Sequence, residues 1–220
     1  MSMITPWGYT LTQASALTDF LTTTEFDSFT NSKFTGDARI SANIPSATRS
    51  IQNYCGWHIY PALECEMIYN MRDLRDSFVG SDLLIQLPAT LVNSVSSVLL
   101  DAKKDGDEWT GDEWTGDETT DFDLDTSGLL RIFDVGHYDR RARIRIVYNA
   151  GLATDQMDVL KELTANRVTH AVSSSYGITS EAAGGVSVTY SASWTGSTKA
   201  TALADDNKEI LSPYKVKGVF

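Results

Sequence analysis

The chain is poor in cysteine and histidine and has no long apolar run, and each shortage closes off a class of protein. Two cysteines, Cys55 and Cys65, in 220 residues do not make a disulfide framework. Cys55 falls on the apolar face of an expected helix and Cys65 in an expected strand, so both read as buried free thiols that pack as small hydrophobes. Three histidines, His58, His137 and His170, are scattered, and none stands at metal-ligand spacing from a second histidine or cysteine. There is no Gly-x-Ser-x-Gly elbow, no phosphate-binding loop and no dinucleotide fingerprint. Gly184-Gly185 is too short a run to cradle a phosphate and makes a turn. No catalytic, cofactor-binding or metal-ligating residue is therefore assigned, no cofactor is called for, and the chain is expected not to be an enzyme. No apolar stretch approaches the ~18–20 residues that cross a bilayer, and residues 1–10 lack the basic and apolar regions of a secretory signal. The expectation is a soluble protein made in a cytoplasm, with no membrane partner.

What the chain does have is enough apolar side chain for a packed core, 42% of residues, and an uneven charge. The formal net charge is −11. Residues 101–125 hold 11 acidic residues and two lysines, so that one segment carries a balance of −9 and leaves −2 for all the rest. A segment of that sign repels a phosphate backbone, which argues against ordinary nucleic-acid binding.

Periodicity divides the chain. The first 35 residues are Thr-rich with scattered anchors (Trp7, Tyr9, Leu17, Phe20, Leu21, Phe26, Phe29), and read as an extended arm with a short helix near residues 16–21. Ile40, Ile44, Ala47, Ile51, Tyr54 and Cys55 recur at spacings of three and four, the mark of an amphipathic helix. Asp37 is its expected N-cap and Gly56 its stop, and Pro45 is expected to kink or divide it. From about 60 to 148 the period changes to two. The runs are Leu83 to Leu87, then Val95, Val98 and Leu100, then Leu129 to Phe133. The last is Ala142, Ile144, Ile146 and Tyr148 alternating with Arg141, Arg143, Arg145 and Val147. A second helix, starting around Asp155, carries Met157, Leu160, Leu163, Thr164, Val168 and Ala171 on one face. A short strand (Val186, Val188, Tyr190), a short helix at 204–211 and a tail at 213–220 complete the chain.

The fold class expected is α+β: a small helical bundle core with an inserted antiparallel β-module, an extended N-terminal arm and a C-terminal tail. The arm is 1–35 and a single domain fills 36–220. Its helical core is about 36–58 and 153–212, its β-insertion about 60–150, and its acidic loop 101–125.

Two motifs stand out. Gly106-Asp107-Glu108-Trp109-Thr110 recurs as Gly111-Asp112-Glu113-Trp114-Thr115, and then as Gly116-Asp117-Glu118-Thr119-Thr120. The carboxylates invite a calcium reading, but the spacing is wrong for an EF-hand loop. A contact loop with two aromatic anchors, or a solvated hairpin tip expanded by duplication, are the alternatives, and loops tolerate such insertion. Arg141, Arg143 and Arg145 share one strand face by alternation. They read as a solvated face or as partners for acidic groups of a neighbouring subunit, the acidic loop among them. Three arginines without an aromatic platform are a weak signal for DNA contact.

Three stretches in order resemble the tailed-phage head–tail connector (adaptor, or head-completion) family. The first runs from Asp37-Ala38-Arg39-Ile40 to Ile51-Gln52-Asn53-Tyr54-Cys55-Gly56-Trp57-His58, an early helix with a Tyr-Cys-Gly-like stop. The second is Leu84-Ile85-Gln86-Leu87-Pro88 followed by Val95-Ser96-Ser97-Val98. The third is Tyr148-Asn149-Ala150-Gly151, a helix, then Tyr176-Gly177-Ile178-Thr179-Ser180-Glu181, Val186-Ser187-Val188-Thr189-Tyr190 and Ile210-Leu211-Ser212-Pro213-Tyr214-Lys215. The match covers residues 37–100 and 128–216; the long arm and the acidic repeat have no counterpart in it.

The resemblance implies a structural virion protein at the neck, a homo-oligomeric ring usually of twelve copies. Its partners would be the portal and a head-closure (stopper) or tail protein, with genomic double-stranded DNA passing through the lumen unbound. It implies that the C-terminal segment, here Pro213, Tyr214, Lys215, Val216, Lys217, Val219 and Phe220, reaches the portal. Arg141, Arg143, Arg145, Trp109 and Trp114 are then candidates for contacts with neighbouring subunits or the neck protein. The alternative is a virion decoration or tail-side binding module that touches a host surface through the Trp-containing acidic loop.

Overall fold

The computed structural model describes residues 2–101, 114, 116–125, 127–136, 138, 142–173, 180–183, 186–189 and 205–216. The protein is α+β, and among the described residues all paired strands are antiparallel. Its chain falls into two compact units. One comprises Met1–Leu17, Gly56–Ala153 and Tyr214–Phe220, the other Thr18–Cys55 and Thr154–Pro213.

The first unit is the β-module. Its six-stranded sheet has the order β1 (Met3–Ile4), β2 (Thr10–Leu11), β3 (Leu63–Asn70), β10 (Arg143–Ala150), β6 (Val92–Asp101), β7 (Asp117–Thr119). A four-stranded sheet runs β4 (Phe78–Val79), β5 (Asp82–Gln86), β9 (Leu129–Ile132), β8 (Phe122–Leu124). The alternation expected around residues 142–148 is seen from Ala142 onward; Arg141 lies outside the described residues. Ile144, Ile146, Tyr148 and Ala150 are buried, while Arg143, Arg145, Val147 and Asn149 are half-buried on the other face. β6 meets β10 with two register shifts. Bulges of this kind re-aim side chains; here Asn93 donates from Nδ2 to Asn149 Oδ1 at 2.8 Å and to the Gly151 carbonyl at 3.0 Å. Gly151 takes φ +131, and a Cβ there would sit 2.5 Å from the Pro61 carbonyl oxygen, so only glycine fits.

The N-terminal stretch differs from the expected arm. β1 and β2 form a hairpin, and β2 pairs with β3 through Thr10↔Glu66 and Leu11↔Cys65. Tyr9 and Leu11 are buried. Two-residue strands are too short to show a period of two, and the pairing partner lies some fifty residues away.

The second unit is helical: α1 (Thr23–Phe29), α2 (Arg39–Cys55), α3 (Asp158–Ser173), the hairpin β11 (Ser180–Ala183) and β12 (Val186–Thr189), and α4 (Asp205–Leu211). The short helix expected near 16–21 lies downstream, at α1, because Thr22 and Glu25 close a reciprocal capping box there. The Asp37 carboxylate accepts the Arg39 N–H at 2.9 Å at the start of α2, and Gly56 takes φ +82 just past its end. Pro45 does not divide α2, which is one helix across it. The second helix begins at Asp158, after a 3₁₀ turn at Thr154–Gln156. Leu21, Phe26, Ile40, Ile44, Ala165 and Val168 form the core of this unit. Thr164, the one polar residue on the buried face of α3, donates to the Leu160 carbonyl at 2.7 Å and so enters the core satisfied. Both cysteines are buried free thiols.

Candidate functional site

The C-terminal segment is tied down where it begins. Trp57 is fully buried directly after the Gly56 turn, and its Nε1–H donates to the Tyr214 carbonyl at 2.6 Å. A buried indole N–H needs such a partner, and here the partner is the backbone of the tail. Tyr214 and Val216 are half-buried, whereas Pro213 and Lys215 are exposed. Lys217, Val219 and Phe220 lie outside the described residues. Trp57 was not singled out from sequence, because its partner is 157 residues away.

On the outward face of β10 the arginines meet an aromatic platform supplied by the acidic repeat. The Arg143 guanidinium lies 4.5 Å from the Trp114 ring centroid and the Arg145 guanidinium 5.8 Å from it. Arg143 also donates to Asp101 at 3.3 Å, with the Asp101 side chain 3% exposed, and Arg145 donates to Glu66 at 2.7 Å. Register explains the first pair, since Arg143 stands opposite Asp101 on β6. The structure thus brings together Arg143, Arg145 and Trp114 of the sequence-derived candidates. Arg141 and Trp109 lie outside the described residues.

Behind the inward face of the same sheet lies a polar cluster that the sequence did not announce. His58 is fully buried, with Nε2 facing the Pro61 and Ala150 carbonyls at 3.1 and 3.0 Å. Carbonyl oxygens only accept, so Nε2 carries the proton and Nδ1 accepts from the Tyr9 hydroxyl at 2.8 Å. The His58 backbone N–H in turn donates to the Tyr9 oxygen at 3.0 Å. Desolvation by burial pulls His58 from its ordinary 6.5 to about 4, against the two carbonyl bonds that favour the charged form. The ring is therefore neutral at pH 7. Burial also pushes the Cys65 thiol up to about 12 and raises the Tyr9 and Tyr148 hydroxyls, so these groups stay protonated. The next residue, Ile59, takes φ +62, a conformation that strains a β-branched side chain, and is held there by full burial and a bond from the Leu152 N–H at 2.8 Å. The cluster is a staple: it fastens the N-terminal hairpin to the centre of the sheet. A Trp-His pair just past a helix-ending glycine was the available signal for half of it; nothing marked Tyr9.

In the helical unit, Lys161 donates to Glu25 at 2.5 Å, and this bond, with the Thr22 backbone N–H, lowers Glu25 to about 2. A shallow hollow of about 250 Å³ is lined by Thr18, Asp19, Leu21, Thr22, Thr23, Ser41, Ile44 and Pro45. Burial raises the Asp19 carboxyl while Arg49 pulls it back. Hydroxyls beside one carboxylate can hold water or a small polar group. No helix among the described residues is long and apolar enough to cross a membrane. Among those residues no group of three or more His, Cys, Asp or Glu side chains is arranged to hold a metal ion. His170 is exposed on α3, and His137 lies outside the described residues. Compared with known proteins, the chain matches no protein-family model and no curated sequence.

Proposed function

We propose that this chain is a non-enzymatic structural subunit of a tailed-phage neck, a head–tail connector. In this reading it forms a ring, of twelve copies as in the family it resembles, between the portal and the head-closure or tail protein. Genomic DNA passes through the lumen without specific binding. The helical core with its β-insertion, and a virion localisation, belong to the same reading.

The observation that carries it is the bond from Trp57 to Tyr214. Two of the three stretches that resemble connectors, the Tyr54-Cys55-Gly56-Trp57-His58 stop and the Pro213-Tyr214-Lys215 segment, meet in that one contact. A tail fixed at its root and bearing Val216, Val219 and Phe220 is suited to insertion into a partner groove. Weak contacts repeated around a closed ring then accumulate without any strong single one. The surplus of carboxylates near β7 would keep a DNA channel from gripping phosphates.

Negative-stain imaging of the purified full-length protein, alone and mixed with portal, tests the reading. Rings of uniform diameter, stacked on portal rings in the mixture, are expected; monomers in both samples would overturn it. Deleting residues 106–120 separates the connector from a host-binding module. Heads that still join tails while adsorption fails would favour the module.

A further inference from the structure

We propose that the shelf made by Arg143, Arg145 and the end of β6 is a docking site for the Trp-Thr-Gly-Asp-Glu stretch of the acidic repeat. Its second occupant is the upstream copy in the same chain, residues 109–113. The site's demands can be read from the described residues. First, it needs a glycine beside β6: a Cβ on Gly116 would lie 2.1 Å from the Leu100 carbonyl oxygen and 2.6 Å from the Asp101 Cα, so no side chain fits. Second, the two residues after that glycine, Asp117 and Glu118, pair with Leu100 and Leu99. Third, a flat ring two residues before it, Trp114, stacks over both guanidiniums.

Five residues upstream the chain offers the same set: Trp109, then Gly111, then Asp112 and Glu113. A strand slip by an odd number of residues normally sends every side chain to the wrong face. Here the repeat restores each requirement, glycine included. Charge complementarity between the acidic repeat and two arginines favours either copy equally. The slip lengthens the connection from β7 to β8, and closure entropy grows only slowly with loop length. One position discriminates. Slipping places Trp114 opposite Val98, where the half-buried Thr119 now stands. The downstream copy therefore holds the shelf in the unaltered chain, and the upstream copy is a tethered substitute with a high effective concentration. The exchange does not depend on the connector reading.

The test uses the full chain labelled with 5-fluorotryptophan and read by ¹⁹F NMR. Trp114→Thr turns the second pentapeptide into a copy of the third, so the slipped strand regains a threonine opposite Val98. A chain lacking residues 111–115 has one tryptophan pentapeptide directly ahead of Gly116 and gives the reference position of a docked ring. In Trp114→Thr, the Trp109 resonance is expected at that reference position, and an added Arg143→Gln moves it away. A Trp109 resonance at its urea-unfolded position, with the Trp7 and Trp57 signals intact, overturns the proposal. So does a docked signal that fades on tenfold dilution, which would make a second copy the occupant. If the threonine variant loses the fold, Trp114→Phe carries the test. Trp109 then shares the docked position with the phenylalanine, and its complete absence from it is the overturning result.

Discussion

On the outward side of β10, Arg143 and Arg145 pair with Asp101, Glu66 and the face of Trp114. On the inward side, His58, Tyr9 and Cys65 are held neutral, and their polarity is met by hydrogen bonds rather than by opposite charge. One strand separates two solutions to the same problem. Where some water remains, ion pairs are tolerable; where none does, the cheaper state is an uncharged ring with both nitrogens hydrogen-bonded.

The comparison breaks first at Arg143. Its replacement by methionine leaves Asp101 buried without that cation, which costs on the order of 3–5 kcal/mol. Urea unfolding followed by circular dichroism would read this. Adding Asp101→Leu should recover most of the loss, and a single variant as stable as the parent would show the pair to be a surface contact.

Acid is the next lever. The unfolded chain binds a proton at His58 below its ordinary 6.5, whereas the folded chain does so only near 4. Stability is therefore complete above 6.5 and is lost as pH falls toward 4, by about 3 kcal/mol. His58→Gln should flatten this window. Glu25 titrates in a lower one, between its ordinary 4.5 and about 2, and its side chain is 37% exposed. Solvent screening holds its share to ~1 kcal/mol or less. Unfolding free energies measured from pH 8 to pH 3 distinguish the two, and a flat line from 6.5 to 4 in the parent contradicts the buried neutral ring.

A comparably small effect concerns the tail. Trp57→Phe keeps an aromatic ring in the core and removes one donor, a loss of about 1 kcal/mol. Amide exchange at Lys215 and Val216 should quicken while that of β10 does not; unchanged exchange at the tail would mean that Tyr214 is held by something other than the indole.

How much of this was legible depended on sequence distance. α2 and α3 announce themselves through apolar spacing, and β10 through strict alternation, because each pattern lies within one element. The antiparallel module and the terminal short helix followed from the same local signals. The Tyr9–His58 bond spans 49 residues, Lys161–Glu25 spans 136 and Trp57–Tyr214 spans 157. No local pattern encodes such pairs, so the staple, the tail anchor and the helix tie had to be seen. The arginine series was legible as a face, but its Asp101 and Trp114 partners were not. Those depend on the register of β6 and on where a repeat comes to rest.

The connector reading is tested most directly by phage particles assembled without this protein. It predicts portal-bearing heads that fail to attach tails and lose their genome, both restored when the intact chain is supplied. Tailed, DNA-filled particles in its absence would contradict it.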